Sequence, residues 1–274
     1  MRFAFLRYSA AVLFSLPLLA AEPPSVILSR MGDGTARPIF IAASAMVTAD
    51  GTPSAIVPED WRLQQQRHAA MISRLAMQRP AEASALGMST AALPCRGVMM
   101  YESSLEPLVD RASLHDAVAN ARAIVAGTIK SITPGFFYGF PGSLIELDHL
   151  DRIKLDASYS AVRETIYIRL PYAHFESGGA EYCRESGPGF YVPRAGDRLL
   201  VFTYDRPLDP DGTLIYSTSS DVIVQSTVES EIRVPKSLSF FDSPNATISS
   251  IATSIHATLS GGRHIVNPHD GRTQ

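Results

Sequence analysis

Ala123-Ile-Val-Ala-Gly-Thr-Ile129, Thr133-Pro-Gly-Phe-Phe-Tyr-Gly-Phe-Pro-Gly142 and Leu144-Ile-Glu-Leu-Asp-His-Leu150 follow one another in a chain of 274 residues, and their reading decides the fold. The first is an apolar run with β-branched residues, strand-like in composition. In the third, Leu144, Glu146, Asp148 and Leu150 interleave with Ile145, Leu147 and His149, the period of two that marks a strand. Between them glycine and proline force the chain to turn, so residues 133–142 are expected to form a loop joining two strands.

Further strand candidates follow at Thr165–Leu170, Ala180–Arg184, Arg198–Tyr204, Leu214–Ser217 and Val222–Val234. Ser177-Gly-Gly179, Pro188-Gly189, Ala195-Gly-Asp197 and Asp209-Pro-Asp-Gly212 supply the turns. Short strands so punctuated predict a mainly β protein, a small antiparallel barrel or sandwich spanning residues 105–262. Upstream, Ser113-Leu-His-Asp116 resembles a helix start, with Leu114, Ala117, Val118 and Ala121 at helical spacing. Downstream the period changes. Ser243-Pro244 opens a helix expected over 244–260, whose stripe of Ile248, Ile251, Ala252, Ile255 and Leu259 is built to pack on the barrel, and residues 263–274 read as a frayed tail.

The N-terminal part reads differently. Arg2 and Arg7, the apolar run Ala10–Leu19 and the small residues Ala20-Ala21 have the pattern of an export signal over residues 1–21. Removing it takes the basic count of 24 down by two, against 27 acidic residues, for a net charge of −5. No basic surplus remains to neutralise phosphates, which argues against a nucleic-acid partner, and no later run is long enough to span a membrane. The expected location is the periplasm or the extracellular space. Residues 22–104 are read as a loose, partly disordered extension with one helix near 59–79, stopped by Pro80. On that helix Trp61, His68, Ile72, Leu75 and Ala76 share one face, with Gln64, Gln65, Arg67 and Arg74 on the other.

The order helix, glycine-bearing strand, loop, long strand, strand, cysteine, Gly-Asp strand, closing strand and C-terminal helix resembles the netrin-like module. That module is the oligonucleotide-binding (OB) type barrel of tissue inhibitors of metalloproteinases. The likeness is carried by Asp116–Ile129, Leu144–Lys154, Ile166–Cys183 and Ala195–Phe202, and the pattern is shared by uncharacterised exported bacterial proteins. It implies an OB-like barrel with a C-terminal packing helix. The inhibitors chelate zinc with a mature N-terminal Cys-x-Cys, which this chain lacks, so their activity is not carried over. In them an N-terminal segment is stapled to a cysteine comparable to Cys183. The resemblance therefore implies a Cys95–Cys183 bridge, which export to an oxidising compartment permits, against the alternative of two separate thiols.

For chemistry, the chain has no G-x-S-x-G, H-E-x-x-H, Walker loop or G-x-G-x-x-G, and its seven histidines are scattered. No catalytic residue, metal set or cofactor is assigned from it. Glu146 and Asp148 share a strand face that reads as solvated, and Asp205, Asp209 and Asp211 are explained by turn chemistry. The informative feature is aromatic: Phe136, Phe137, Tyr138 and Phe140 in the loop, with Tyr172 and Phe175 near the Gly-Gly turn beside Tyr182. These rings are either a binding surface for a protein or small ligand of the cell envelope, or a plug folded into the barrel end. The preferred expectation is an exported, non-enzymatic binding or interaction protein. The alternative is an exported hydrolase whose site is assembled from distant residues.

Overall fold

The computed structural model describes residues 24–30, 34–85, 113–155, 166–184, 192–204, 207–208, 214–217, 223–229 and 231–261. The expected signal over 1–21, Cys95, Asp205, Asp209, Asp211 and the expected tail over 263–274 lie outside these residues. The protein is mainly β, with a C-terminal helix. Among the described residues no helix is long and apolar enough to cross a membrane.

The centre of the fold is one hairpin of two 15-residue strands, β3 (Ala123–Phe137) and β4 (Phe140–Lys154). The loop expected over 133–142 is thus a correction: the strands pair to their very tips, Phe137 opposite Phe140. Only Tyr138 and Gly139 turn, at φ +50° and +86°. A two-residue turn with both φ positive matches the twist of a hairpin, which is why glycine stands there. Three register shifts along the pair bend both strands.

β3 and β4 are flanked in the order β11-β10-β8-β3-β4-β5-β9. The partners are β5 (Ile166–Leu170), β8 (Arg198–Thr203), β9 (Leu214–Ser217), β10 (Ile223–Ser226) and β11 (Ile232–Arg233). All of these pairs are antiparallel except β5 with β9, which is parallel. One face of six strands, from Ile223 and Val201 through Val125 and Ile145 to Ile168 and Tyr216, packs into a single apolar cluster. The sheet therefore curls around that face, and the described strands do not close a barrel.

The opposite face of β3, β8 and β10 is covered by helices α2 (Leu114–Asn120) and α3 (Ile248–Gly261) and by a 3₁₀ segment carrying Leu238 and Phe241. Ser113 caps α2 by accepting the Asp116 amide hydrogen at 3.1 Å, as its sequence signature requires. α3 starts four residues later than the expected 244. Ser243 to Ala246 is a hydrogen-bonded turn, and Thr247 and Ser250 bond reciprocally, each hydroxyl accepting the other's amide hydrogen. Ile248, Ile251, Ala252 and Ile255 are buried, and Leu259 packs at the edge of the same cluster.

The expected loose extension is the second correction. β1 (Val26–Arg30) pairs antiparallel with β2 (Ala36–Ala42), and β2 joins the free edge of the β3 tip at Phe137, Phe136 and Gly135. Gly135 is needed there, because a Cβ would strike the Ile41 carbonyl and the Phe40 ring. Helix α1 (Glu59–Ala85) then lies against a small separate sheet, β6 (Ala173–Ser177) and β7 (Ala180–Arg184). Among the described residues, this region packs on the hairpin tip through Phe40, Ile41 and Trp61. α1 also runs through Pro80, which was expected to stop it.

Candidate functional site

The six aromatic residues singled out in the sequence separate into groups. Phe136 is fully buried and meets Phe175 and Tyr182 edge-on, with centroids at 5.2 and 4.8 Å. Phe175 stacks on Tyr182 at 5.5 Å, and the far face of Tyr182 stacks on His68 of α1 at 5.9 Å. Phe137 turns to the other side, tilted on Phe40 at 4.7 Å. The Arg169 guanidinium lies over both Phe137 and the half-exposed Tyr138, at 5.1 and 5.8 Å. Tyr172 belongs to the inner cluster of the curled sheet, and Phe140 is half-buried at the turn. The hairpin-tip rings at 136 and 137 are thus buried, beneath β1–β2, α1 and β6–β7.

Tyr182 is the hub of this packing and also the floor of a cleft. Three walls meet there: the first turns of α1, the β6–β7 turn at Ser177-Gly178, and the segment 46–57. That segment is rigidified by its own bonds. Val47 and Pro53 bridge, the Ser54 amide donates to the Met46 carbonyl, and Thr48, Asp50 and Thr52 bond one another. The threonine hydroxyls hold the Asp50 carboxyl below its ordinary range. Ser177 Oγ ties the β6–β7 turn to the same region by donating to the Ala43 carbonyl at 3.1 Å.

The cleft has a volume of about 180 Å³, with Met46, Val57 and Tyr182 as apolar lining and Arg62, Gln65 and Gln66 from α1 as polar lining. Arg62 Nη1 and Nη2 donate to Glu59 at 3.3 Å and to the Ser54 carbonyl at 3.2 Å. Its Nε, however, is a buried donor without a partner, and so is Gln65 Nε2. An unmet buried donor costs about 1–3 kcal/mol, so two in one wall call for an explanation.

One turn beyond Gln65 on α1, His68 is 4% exposed and its Nε2 accepts the Cys183 amide hydrogen at 3.2 Å. Burial pushes its pKa below 6.5, and the nearby Arg184 charge acts in the same direction. Burial likewise pushes the Tyr182 hydroxyl up. Cys183 is itself fully buried against Ile72.

Arg62, Gln65 and Gln66 were not among the candidates read from the sequence, and Gln65 was assigned to the exposed face of its helix. It is instead 6% exposed. The signal was present: Trp61, Gln65, His68 and Ile72 fall at i, i+4, i+7 and i+11, a single seam. Glu146 is a similar correction. It is buried rather than solvated, because β4 is flanked on both edges. It accepts from Lys130 Nζ at 2.6 Å and from Ser131 Oγ at 3.2 Å. Burial, with the Glu146 charge, raises the facing Tyr167 hydroxyl. The buried Asp197 is a tie: it accepts from the amides of Arg194 and Val228 and from Gln225 Nε2, joining the turn before β8 to β10.

No protein-family model matches the chain, and no curated protein matches it. Among the described residues no three His, Cys, Asp or Glu side chains gather into a metal set. The candidate site rests on the cleft's own geometry.

Proposed function

We propose that the chain is an exported, non-enzymatic binding protein built on an OB-type barrel, with the cleft beside Tyr182 as its ligand site. The barrel is supported by the strand path. β9 ends that path, and β10, second from its other end, follows β9 in sequence with only residues 218–222 between them. Six linked Cα steps reach at most about 20 Å, whereas six strands laid flat span about 24 Å. β9 and β10 thus read as two halves of one strand, parallel to β5 at its start and antiparallel to β8 at its end. That closing role is the one strand 5 plays in an OB-type barrel. Export is supported by the residue pattern of positions 1–21.

The observation that carries binding is the pair of buried, unmet donors, Arg62 Nε and Gln65 Nε2, in the wall of a cleft with apolar lining. Ligand sites combine apolar walls with a few convergent polar groups in this way. Stability alone gives no reason to leave such donors unmet.

The test is native mass spectrometry of the chain recovered undenatured from its exported fraction, beside a Gln66→Trp variant. Gln66 is exposed and lines the cleft, so the indole fills the space without entering the core. A co-purifying small-molecule mass that disappears in the variant, with melting unchanged, is expected. A mass retained by Gln66→Trp, or none in either protein, overturns the assignment of this cleft.

A further inference from the structure

We propose that the cleft takes a small organic monocarboxylate with a compact apolar body. This inference rests on the cleft being a binding site and adds the class of its ligand. Three observations lead to it. The first is charge: of the residues lining the cleft, Arg62 alone is charged near neutral pH, a cation whose Glu59 partner is solvent-exposed, and none is a carboxylic acid. An anionic ligand meets attraction there, and a cationic one repulsion.

The second is the donor count. Both Nη groups of Arg62 are engaged, by Glu59 and by the Ser54 carbonyl, while Nε has no acceptor. Gln65 lies one helical turn away on the same side, and its amide nitrogen has none either. The terminal torsion of a glutamine is soft, so a half-turn delivers its N–H groups to an oxygen in the cleft. A carboxylate offers two oxygens to two donors and satisfies both, with the added strength of a charged acceptor. A neutral amide or alcohol has one strong acceptor at best, and an amine brings only further donors.

The third is the shape and chemistry of the remaining wall. Met46, Val47, Pro53, Val57 and the Tyr182 ring suit an apolar body, while Gln66, Ser177 and Gly178 add neutral polar groups and no second cation for the further charge of a phosphate or sulfate dianion. A volume of about 180 Å³ suits a molecule of the size of benzoate or hexanoate.

The experiment is titration calorimetry, with thermal melting in parallel, on the mature chain at pH 7. The probes are benzoate and hexanoate, with benzamide and benzylamine as neutral and cationic counterparts. Benzoate or hexanoate is expected to bind and to raise Tm. Benzamide should bind at least ten-fold more weakly and benzylamine not at all. Arg62→Gln should weaken the acids ten-fold or more, and Gln66→Trp should abolish their binding without relying on the Arg62 bonds. Benzamide equal to benzoate, or acid binding untouched by both variants, overturns the proposal. Should neither acid bind while Gln66→Trp still loses a co-purifying mass, the carboxylate class falls and the binding site stands. If that mass is also missing, both fall.

Discussion

α1 and α3 both cover the β-structure, and their seams are made of different material. α3 buries Ile248, Ile251, Ala252 and Ile255 against the outer face of β3, β8 and β10. Its serines and threonines turn back onto their own helix, with Thr253, Ser254, Thr258 and Ser260 each donating to the carbonyl four residues earlier. α1 buries Trp61, Gln65, His68 and Ile72. An apolar seam is non-directional and needs no partner, so α3 is fastened by area alone. The polar half of the α1 seam depends on partners: His68 Nε2 accepts the Cys183 amide hydrogen only while it is unprotonated, and Gln65 Nε2 has none. A helix held so costs stability, and that cost falls where the cleft is. α3 is scaffold; α1 is the element on which the proposed ligand, and pH through His68, would act.

The largest expected effect breaks the scaffold side. Ending the chain after Lys236 removes Leu238, Phe241 and α3, and leaves Phe202, Leu200, Ile124 and Val224 facing water. The shortened chain is expected to aggregate and to lose its cooperative melt. A milder form, Ile255→Ala, should cost about 2–5 kcal/mol in denaturant unfolding. Soluble, cooperatively melting protein without α3 would show that the apolar seam is dispensable.

The next effect concerns how α1's side is held. Cys183 lies beneath Ile72 of α1, and a bridge to Cys95 would fasten this region covalently where its seam is weakest. Closing that span is worth about 4–5 kcal/mol in the chain-entropy view, so Cys95→Ser should lower stability by nearly that much. Peptide mapping of unreduced protein checks it directly. Full alkylation of both thiols before reduction means there is no bridge, and the polar seam then holds unaided.

A third expectation separates the helices by pH. His68 has its pKa pushed below 6.5 in the folded state, chiefly by burial. Above 6.5 the ring is neutral folded or unfolded, and stability does not respond to it. As pH falls below 6.5 the unfolded chain takes up a proton that folded His68 refuses, so stability declines until the folded pKa is passed. His68→Gln keeps an oxygen able to accept the Cys183 amide hydrogen and does not titrate. Its stability should therefore fall less than that of the unaltered protein between pH 7 and 5, by chemical denaturation at each pH. Parallel pH profiles would remove His68 from the account.

These seams also mark what could be read in advance. α3, the Ser113 cap and the alternation of Leu144–Leu150 were legible because each is a local pattern with one physical meaning. Three features were not. Thr133–Gly142 carries the composition of a loop, yet pairing to β2 and β4 extends the strand through it. The apolar run Ile39–Val47 reads as a poor strand because Ala-Ala-Ser-Ala fills its centre, yet Ala36–Ala42 is a strand because the tip of β3 offers it an edge. Gln65 reads as surface by its chemistry, and only the phase set by Trp61 and Ile72 places it inside. In each case tertiary contact decides against local propensity, and the last of them is the candidate site. The central strands were written in regular alternation, whereas the candidate site was written in exceptions to it.

The smallest expected effect is the sharpest test of that contrast. Gln65→Met keeps a long unbranched side chain in the α1 seam and removes the unmet amide. Replacing a buried, unpartnered polar group by an apolar one of similar shape should raise stability, here by about 1 kcal/mol. No comparable gain is open to α3, whose buried positions are already apolar. If the amide is kept for a ligand, the same variant should melt higher yet bind benzoate or hexanoate several-fold more weakly, a trade between stability and function. Calorimetry and denaturant melts on one sample give both numbers. A variant that is less stable would show that Gln65 already has a partner within the fold. One that is more stable with binding intact would confine the ligand's grip to Arg62.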